Sequence, residues 1–426
     1  MNPIHLTASA PLRGEITVPG DKSISHRAVM FGALAKGTTH ITGFLMGEDC
    51  LSTIDCFRKM GVQIEVTERE VIVHGVGLHG LKAPADDLYT GNSGTTTRLL
   101  CGILAGQDFS CRMSGDASIQ KRPMGRVIKP LREMGAQIDG VDGNFCPLTL
   151  GGGKLHGIRY PLPVASAQLK SAILLAGLYA DGETAVIEPA PSRDHTERML
   201  RALGVKVVTD GNVITLTPPA ELSAQDIAVP ADISSAAFFL VAGCIVPGSE
   251  LTIRNVGVNP TRTGILDVLR DMGADITMSN IRDGAEPVCD LTVRYSHLHG
   301  AEISGGIIPR LIDELPVLAV AAAFAEGETV IRDAQELKVK ESNRIAAMVT
   351  ELSKAGADVS ETADGMVVRG GAPLHGASFD TYNDHRIAMS MAVCALACGG
   401  ESTILDPGVV AISYPSFFDT LLGLGG

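Results

Sequence analysis

Seven short stretches of this 426-residue chain crowd charged and hydroxyl side chains at or near the start of apolar runs. VPGDKSISHRA (18–28) carries Lys22, Ser23, His26 and Arg27, GNSGTTTRLL (91–100) carries Gly94 and Arg98, and KRPMGR (121–126) carries Lys121 and Arg122. ASAQLKSA (165–172) adds Ser166, Gln168 and Lys170, with Arg193 and His195 further on. IDELP (312–316), KVKESNR (338–344) and NDHRIAM (383–389) bring Asp313, Lys340, Glu341, Arg344, Asp384, His385 and Arg386. Helix starts offer free N–H groups and about half a positive charge, so several of them with added cations make an anion site. Arginine grips phosphate or carboxylate with two prongs. A carboxylate among such cations, as Asp313 would be, can take a proton from a hydroxyl.

Each stretch also has a plain structural reading. Ser23 could cap a helix whose Arg27 is solvated, GNSG could be a glycine turn, and Asp313 an ordinary acidic first turn. Residues 338–344 could be a solvated face, and Asp384 a cap.

The composition narrows the choice. A net charge of −13 argues against a nucleic-acid partner, and the absence of Trp with few Tyr and Phe leaves little for bases to stack on. No apolar run reaches the roughly 20 residues of a membrane span, and MNPIHLTASAPLRG lacks the basic start and apolar middle of a leader. A cytoplasmic protein with no membrane contact is expected. Nine cysteines without a CxxC pair read as thiols in a reducing compartment rather than a disulfide or zinc framework, so no structural metal is expected. GGGKLHG (151–157) precedes no long apolar run, and Lys22 follows Asp21 without the Gly-x4-Gly-Lys-Ser spacing, which leaves no dinucleotide or Walker fingerprint. In so acidic a chain, the basic stretches point to a small, multiply charged anionic substrate.

The elements that must position these residues repeat. HRAVMFGALAKGTTHITG, TTTRLLCGILAGQDFSCRM, LKSAILLAGLYADGETAVIE, SSAAFFLVAGCIVPGSELTIRN, DELPVLAVAAAFAEGETVIRD and HRIAMSMAVCALACGGESTIL share one plan. Each has a polar start, an apolar run, a glycine and a β-branched strand. The glycines are Gly37, Gly106, Gly182, Gly248, Gly327 and Gly400. A second helix ends at Gly61, Gly135, Gly204, Gly273 and Gly356, where a left-handed cap is expected. Each unit reads β-α-β-α-β-β, with apolar helices that must lie inside helix and sheet layers. Counting back from the first set of glycines reaches Lys22, Asn92, Gln168, Asp232, Asp313 and Asp384. These six helix starts would converge if the units pack about an axis.

In order over nearly the whole chain, PGDKSISHRA, GNSGTTTRLL, KRPMGR, ASAQLKSA, DISSAAFF, IDELP, KVKESNR and NDHRIAM resemble the enolpyruvyl transferases. The branch most similar is the one acting on shikimate 3-phosphate. The resemblance implies an α/β fold of two globular domains, residues 1–19 with 230–426 and residues 20–229. Each would hold three repeats in an inverse α/β barrel arrangement, with the active site in the interdomain cleft. It implies a monomeric transferase of aromatic amino acid biosynthesis that moves the enolpyruvyl group of phosphoenolpyruvate onto the 5-hydroxyl of shikimate 3-phosphate and closes over both. By the same resemblance Lys22, Ser23, Arg27, Ser166, Gln168, Arg193, Asp313 and Lys340 hold shikimate 3-phosphate. Lys22, Gly94, Arg122, Gln168, Arg344 and Arg386 surround phosphoenolpyruvate. Asp313 is then the base for the hydroxyl, Glu341 and Lys22 deliver and withdraw the proton on the methylene carbon, and no metal or organic cofactor is implied.

Some positions depart from the family pattern. Ile412 stands where many relatives have lysine, so a cation on the phosphoenolpyruvate side is missing. His26 replaces a common asparagine and Ser93 a common alanine, features that with ASAQLK resemble the subgroup less sensitive to the phosphoenolpyruvate mimic glyphosate. The sister enzyme acting on UDP-N-acetylglucosamine commonly has a reactive cysteine five residues before its loop arginine. Here that position is Ala117, and Cys111 falls in a predicted strand.

Overall fold

The six apolar runs are too uniformly hydrophobic to sit on a surface, and in the computed structural model, which describes residues 2–424, all six become helices wrapped by protein. The chain divides into an inserted unit, Gly20–Val229, and a split unit, Met1–Pro19 with Pro230–Gly426.

In the inserted unit the helices are α1 (Lys22–Leu34), α2 (Glu48–Lys59), α3 (Gly94–Ala105), α4 (Gly125–Glu133), α5 (Ala167–Gly177) and α6 (His195–Ala202). Helices α1, α3 and α5 are buried on nearly every side beyond their first turn. Helices α2, α4 and α6 each bury one face and carry Arg or Lys in the last turn, where a cation complements the helix dipole.

The split unit repeats the plan with α7 (Ile233–Ile245), α8 (Gly264–Asp271), α9 (Leu315–Phe324), α10 (Arg344–Lys354) and α11 (His385–Ala395), and adds α12 (Phe417–Gly423). Its inner helices α7, α9 and α11 pack on one another, and every residue of α7 and α11 is buried. At roughly 1.5–3 kcal/mol per large apolar side chain removed from water, these inner helices are the main source of each unit's stability.

The sheets lie outside the helices. In the repeats of α3, α5, α9 and α11 the strand that leads into the inner helix pairs parallel with the strand that follows it, and in all of these but the last an antiparallel hairpin extends the sheet. Thus Leu88–Tyr89 lies beside Ser110–Ser114, then Phe145–Gly151, then Gln137–Val141, with Leu88 opposite Met113 and Met113 opposite Leu148. Among the described residues five sheets have four strands. The sixth has three, with Ile4–Thr7 pairing antiparallel with Glu401–Ile404 in the place a hairpin strand takes elsewhere. Each unit's first sheet also takes a strand remote in sequence. Arg13–Ile16 joins Glu250–Gly257, and Ile227–Ala228 joins Lys36–Thr42.

The second-helix glycines, Gly61, Gly135, Gly204, Gly273 and Gly356, all have positive φ, the backbone that favours glycine after a helix. Of the first set, Gly106 differs. Its φ is −94°, and an added Cβ would lie 2.1 Å from the Tyr179 ring, so close packing rather than a left-handed turn requires glycine there.

Candidate active site

In the inserted unit three inner helices present their N-termini with side-chain caps. Asp21 accepts from the Ile24 N–H, Ser93 from Thr96 and Ser166 from Leu169. Asp21 therefore does the capping for which Ser23 was a candidate; Ser23 lies in the first turn, where its carbonyl accepts from Arg27 Nη1 at 2.9 Å. Arg27 is buried and stitched to two further helices, donating from Nε to Thr196 Oγ1 at 2.7 Å and from Nη2 to Ser171 Oγ at 2.8 Å. The solvated-arginine reading of this stretch is thus excluded.

Arg98 donates to Gln168 Oε1 at 2.6 Å, and Gln168 in turn donates to Thr95 Oγ1 at 3.0 Å, so the heads of α3 and α5 are joined. Arg122 donates to Asn92 Oδ1 at 2.7 Å. A Cβ on Gly94 would sit 2.9 Å from Arg98 Nη1 and 3.2 Å from Arg122 Nη1, so this glycine keeps open a space flanked by two guanidinium groups. Lys22 pairs with Asp49 of α2 at 2.6 Å. Arg193 lies half-buried in the loop before α6.

His26 is fully buried, with Nδ1 2.7 Å from Thr53 Oγ1. Thr53 continues to Thr96 at 2.7 Å, and Thr96 to the cap Ser93 at 2.7 Å. Burial first, then the Lys22 and Arg27 charges, holds His26 well below the usual histidine range, so it is neutral.

The split unit gathers its predicted residues around one guanidinium. Arg344, 2 % exposed at the head of α10, donates from Nε to Asp384 Oδ2 at 2.8 Å, from Nη2 to Glu341 Oε2 at 2.6 Å and from Nη1 to Asp313 Oδ1 at 3.2 Å. Burial alone would lower the Arg344 pKa, but Asp384, Glu341 and Asp313 outweigh it and hold the group above the usual arginine range. Lys340 Nζ lies 3.4 Å from the same Asp313 oxygen. Asp384 also caps α11, accepting from the Arg386 N–H at 2.9 Å, so capping and ion pairing are both its roles. Arg386 donates to the Ser234 carbonyl at 3.2 Å and stacks over Phe238. Asp313 precedes α9 rather than lying in its first turn, and Glu341 sits in the loop ahead of the cap Asn343.

Four participants lacked a signal in the sequence. Asp49, Ser171 and Thr196 are common polar residues on helices, and only tertiary packing turns them toward Lys22 and Arg27. Arg262, from NPTRTG, is buried and donates to Ser234 Oγ at 2.6 Å and Asp232 Oδ1 at 3.2 Å, while the Ser234 hydroxyl also bonds Glu314. Cys111 lies in the strand Ser110–Ser114 with its thiol pushed by burial up to about 11, and Ala117 is exposed. Ile412 is half-buried at the end of a short 3-10 turn, Pro407–Ile412.

Residues 6–421 match the EPSP synthase (3-phosphoshikimate 1-carboxyvinyltransferase) family. The 3-phosphoshikimate 1-carboxyvinyltransferase of Geobacillus kaustophilus is 60% identical over 98% of this chain and 99% of its own. That of Bacillus cereus is 58% identical over 96% of each. The solved structure of EPSP synthase from Acinetobacter baumannii superposes with a TM-score of 0.89 at 50% identity, covering 99% of this chain and 97% of that one.

Proposed function

The chain belongs to the EPSP synthase (3-phosphoshikimate 1-carboxyvinyltransferase) family, and on that premise we propose that its two helix-head clusters serve one reaction. The enzyme is a transferase of aromatic amino acid biosynthesis. It moves the enolpyruvyl group of phosphoenolpyruvate to the 5-hydroxyl of shikimate 3-phosphate and releases phosphate.

In this reading Ser23, Arg27, Ser166, Gln168 and Arg193 hold shikimate 3-phosphate, with Asp313 and Lys340 at its reacting end. Lys22, Gly94, Arg122, Arg344 and Arg386 surround phosphoenolpyruvate. The substrates are dense in phosphate and carboxylate, which suits forked guanidinium donors and open helix N-termini. Arg27 donates to two hydroxyls and a carbonyl, bonds that orient its guanidinium without cancelling its charge.

An alcohol attacks poorly, and the enol carbon becomes electrophilic only when its methylene is protonated. Asp313 takes the hydroxyl proton as the new C–O bond forms. Glu341 and Lys22 deliver a proton to the methylene carbon and remove one again as the C–O bond to phosphate breaks and the double bond returns. Arg122, Arg344 and Arg386 stabilise the charge on the departing phosphate.

The observation that carries this reading is the Arg344 hub, which brings the base Asp313, the proton carrier Glu341 and the cation Lys340 together. Phosphate release from phosphoenolpyruvate tests it. Release is expected with shikimate 3-phosphate and not with UDP-N-acetylglucosamine or with no acceptor; release with the UDP-sugar alone would reject the assignment.

A further inference from the structure

The loop that delivers Asp384 and Arg386 is held in a conformation its residues do not favour. Tyr382 and Asn383 both have φ of 53°, two consecutive non-glycine residues in the left-handed region. Asparagine tolerates that region, but for a residue as bulky as tyrosine it is an outlier that surrounding structure must enforce.

The enforcing contacts converge on Glu351. This carboxylate is fully buried on α10, seven residues and so two turns from Arg344 on the same helix face. It accepts from the Tyr382 hydroxyl on Oε1 at 2.7 Å and from the Asp380 N–H on Oε2 at 3.0 Å, and Lys354 Nζ lies 2.9 Å from both oxygens. Asp380 Oδ1 then accepts from the Tyr382 N–H at 2.8 Å, and the Thr381 carbonyl from the Asp384 N–H at 2.8 Å. Burial, and then the hydrogen bond to Glu351, push the Tyr382 hydroxyl up to about 12, so it remains a donor at neutral pH. Helix α10 thus grips the loop twice, through Arg344 on Asp384 and through Glu351 on Tyr382.

We propose that Tyr382 and Glu351 are positioning residues for the known reaction: their hydrogen bond holds residues 380–383 in a strained turn that aims Arg386 at phosphoenolpyruvate. The substrate named here rests on the assignment of Arg386 made above. With the hydroxyl removed, the strain relaxes by rotating the backbone at 382, and the displacement passes directly to Asp384 and Arg386.

Two variants of the full-length enzyme separate this from a packing role. Tyr382→Phe keeps the strain and loses the pin; Tyr382→Gly loses the pin and the strain together, because glycine adopts positive φ freely. Steady-state kinetics of Tyr382→Phe should show KM for phosphoenolpyruvate raised about tenfold, with kcat and KM for shikimate 3-phosphate within about twofold. Tyr382→Gly, the larger truncation, should stay within about threefold of the parent. Melting curves check that both are folded, as the half-open position of Tyr382 leads one to expect. If glycine impairs the enzyme as much as phenylalanine or more, or if both leave KM unchanged, the proposal is overturned. If the phenylalanine defect exceeds the glycine defect but falls on KM for shikimate 3-phosphate, the positioning role stands and the assignment of Arg386 to phosphoenolpyruvate fails.

Discussion

The two units hold their site cations in opposite ways. In the inserted unit Arg27, Arg98 and Arg122 each donate to neutral groups: hydroxyls, a carbonyl and side-chain amides. In the split unit Arg344, Lys340 and Arg262 pair with the carboxylates Asp313, Glu341, Asp384 and Asp232, while Arg386 departs from this pattern by donating to the Ser234 carbonyl. Bonds to neutral partners aim a cation without cancelling its charge. A cation held by carboxylates is largely neutralised, and its partners are bases. Under the proposed roles the difference is a division of labour, with recognition in the inserted unit and recognition joined to proton transfer in the split unit. Lys22 of the inserted unit is paired with Asp49, and it is also the residue of that unit proposed to move a proton.

Stability gives the largest contrast. Arg344→Met should leave Asp384, Glu341 and Asp313 without their shared cation and cost about 3–5 kcal/mol, as removing one partner of a buried ion cluster does. Arg27→Met breaks hydrogen bonds to neutral groups and should cost about 1–3 kcal/mol. Urea unfolding of the two variants measures both, and equal losses would erase the distinction.

Binding gives the next effect. Arg27→Ala should raise the dissociation constant for shikimate 3-phosphate by about ten- to a hundredfold, the worth of one or two charge-assisted hydrogen bonds, and that for phosphoenolpyruvate by less than about threefold. Equal effects on the two ligands in titrations would show that Arg27 has been assigned to the wrong one.

The smallest effect is a pH dependence in the inserted unit. His26 is neutral when folded and ordinary when unfolded, with a reference value of 6.5. The unfolded chain therefore binds the extra proton, so stability is full above that value and falls as pH drops below it. His26→Asn should flatten this slope below pH 6.5, read from unfolding midpoints; an unchanged slope would mean that His26 is protonated in the fold.

Much of this was legible in the chain. Glycines closing second helices and cations heading apolar runs are local signals, and both follow from backbone geometry at helix ends. Partnerships across long separations were not. Nothing local distinguishes Thr196 or Ser171 as the seat of Arg27, or Arg262 as a buried donor, because their neighbours arrive only on folding. The cap at α1 is Asp21 and not Ser23, a distinction hidden in the sequence because both residue types cap well and only the backbone decides which sits at the boundary. The strained pair Tyr382 and Asn383 was hidden for the same reason, since a tyrosine carries no sequence mark of positive φ.

The measurement that bears most directly on the division of labour is calorimetric titration of shikimate 3-phosphate into Asp313→Ala, set beside its turnover. Removing a carboxylate from among Arg344 and Lys340 makes that cluster more positive, so an anionic ligand should bind within about threefold of the parent or more tightly, while kcat falls by about 10²–10⁴. Binding lost in proportion to turnover, or turnover retained within a few fold, would contradict the account.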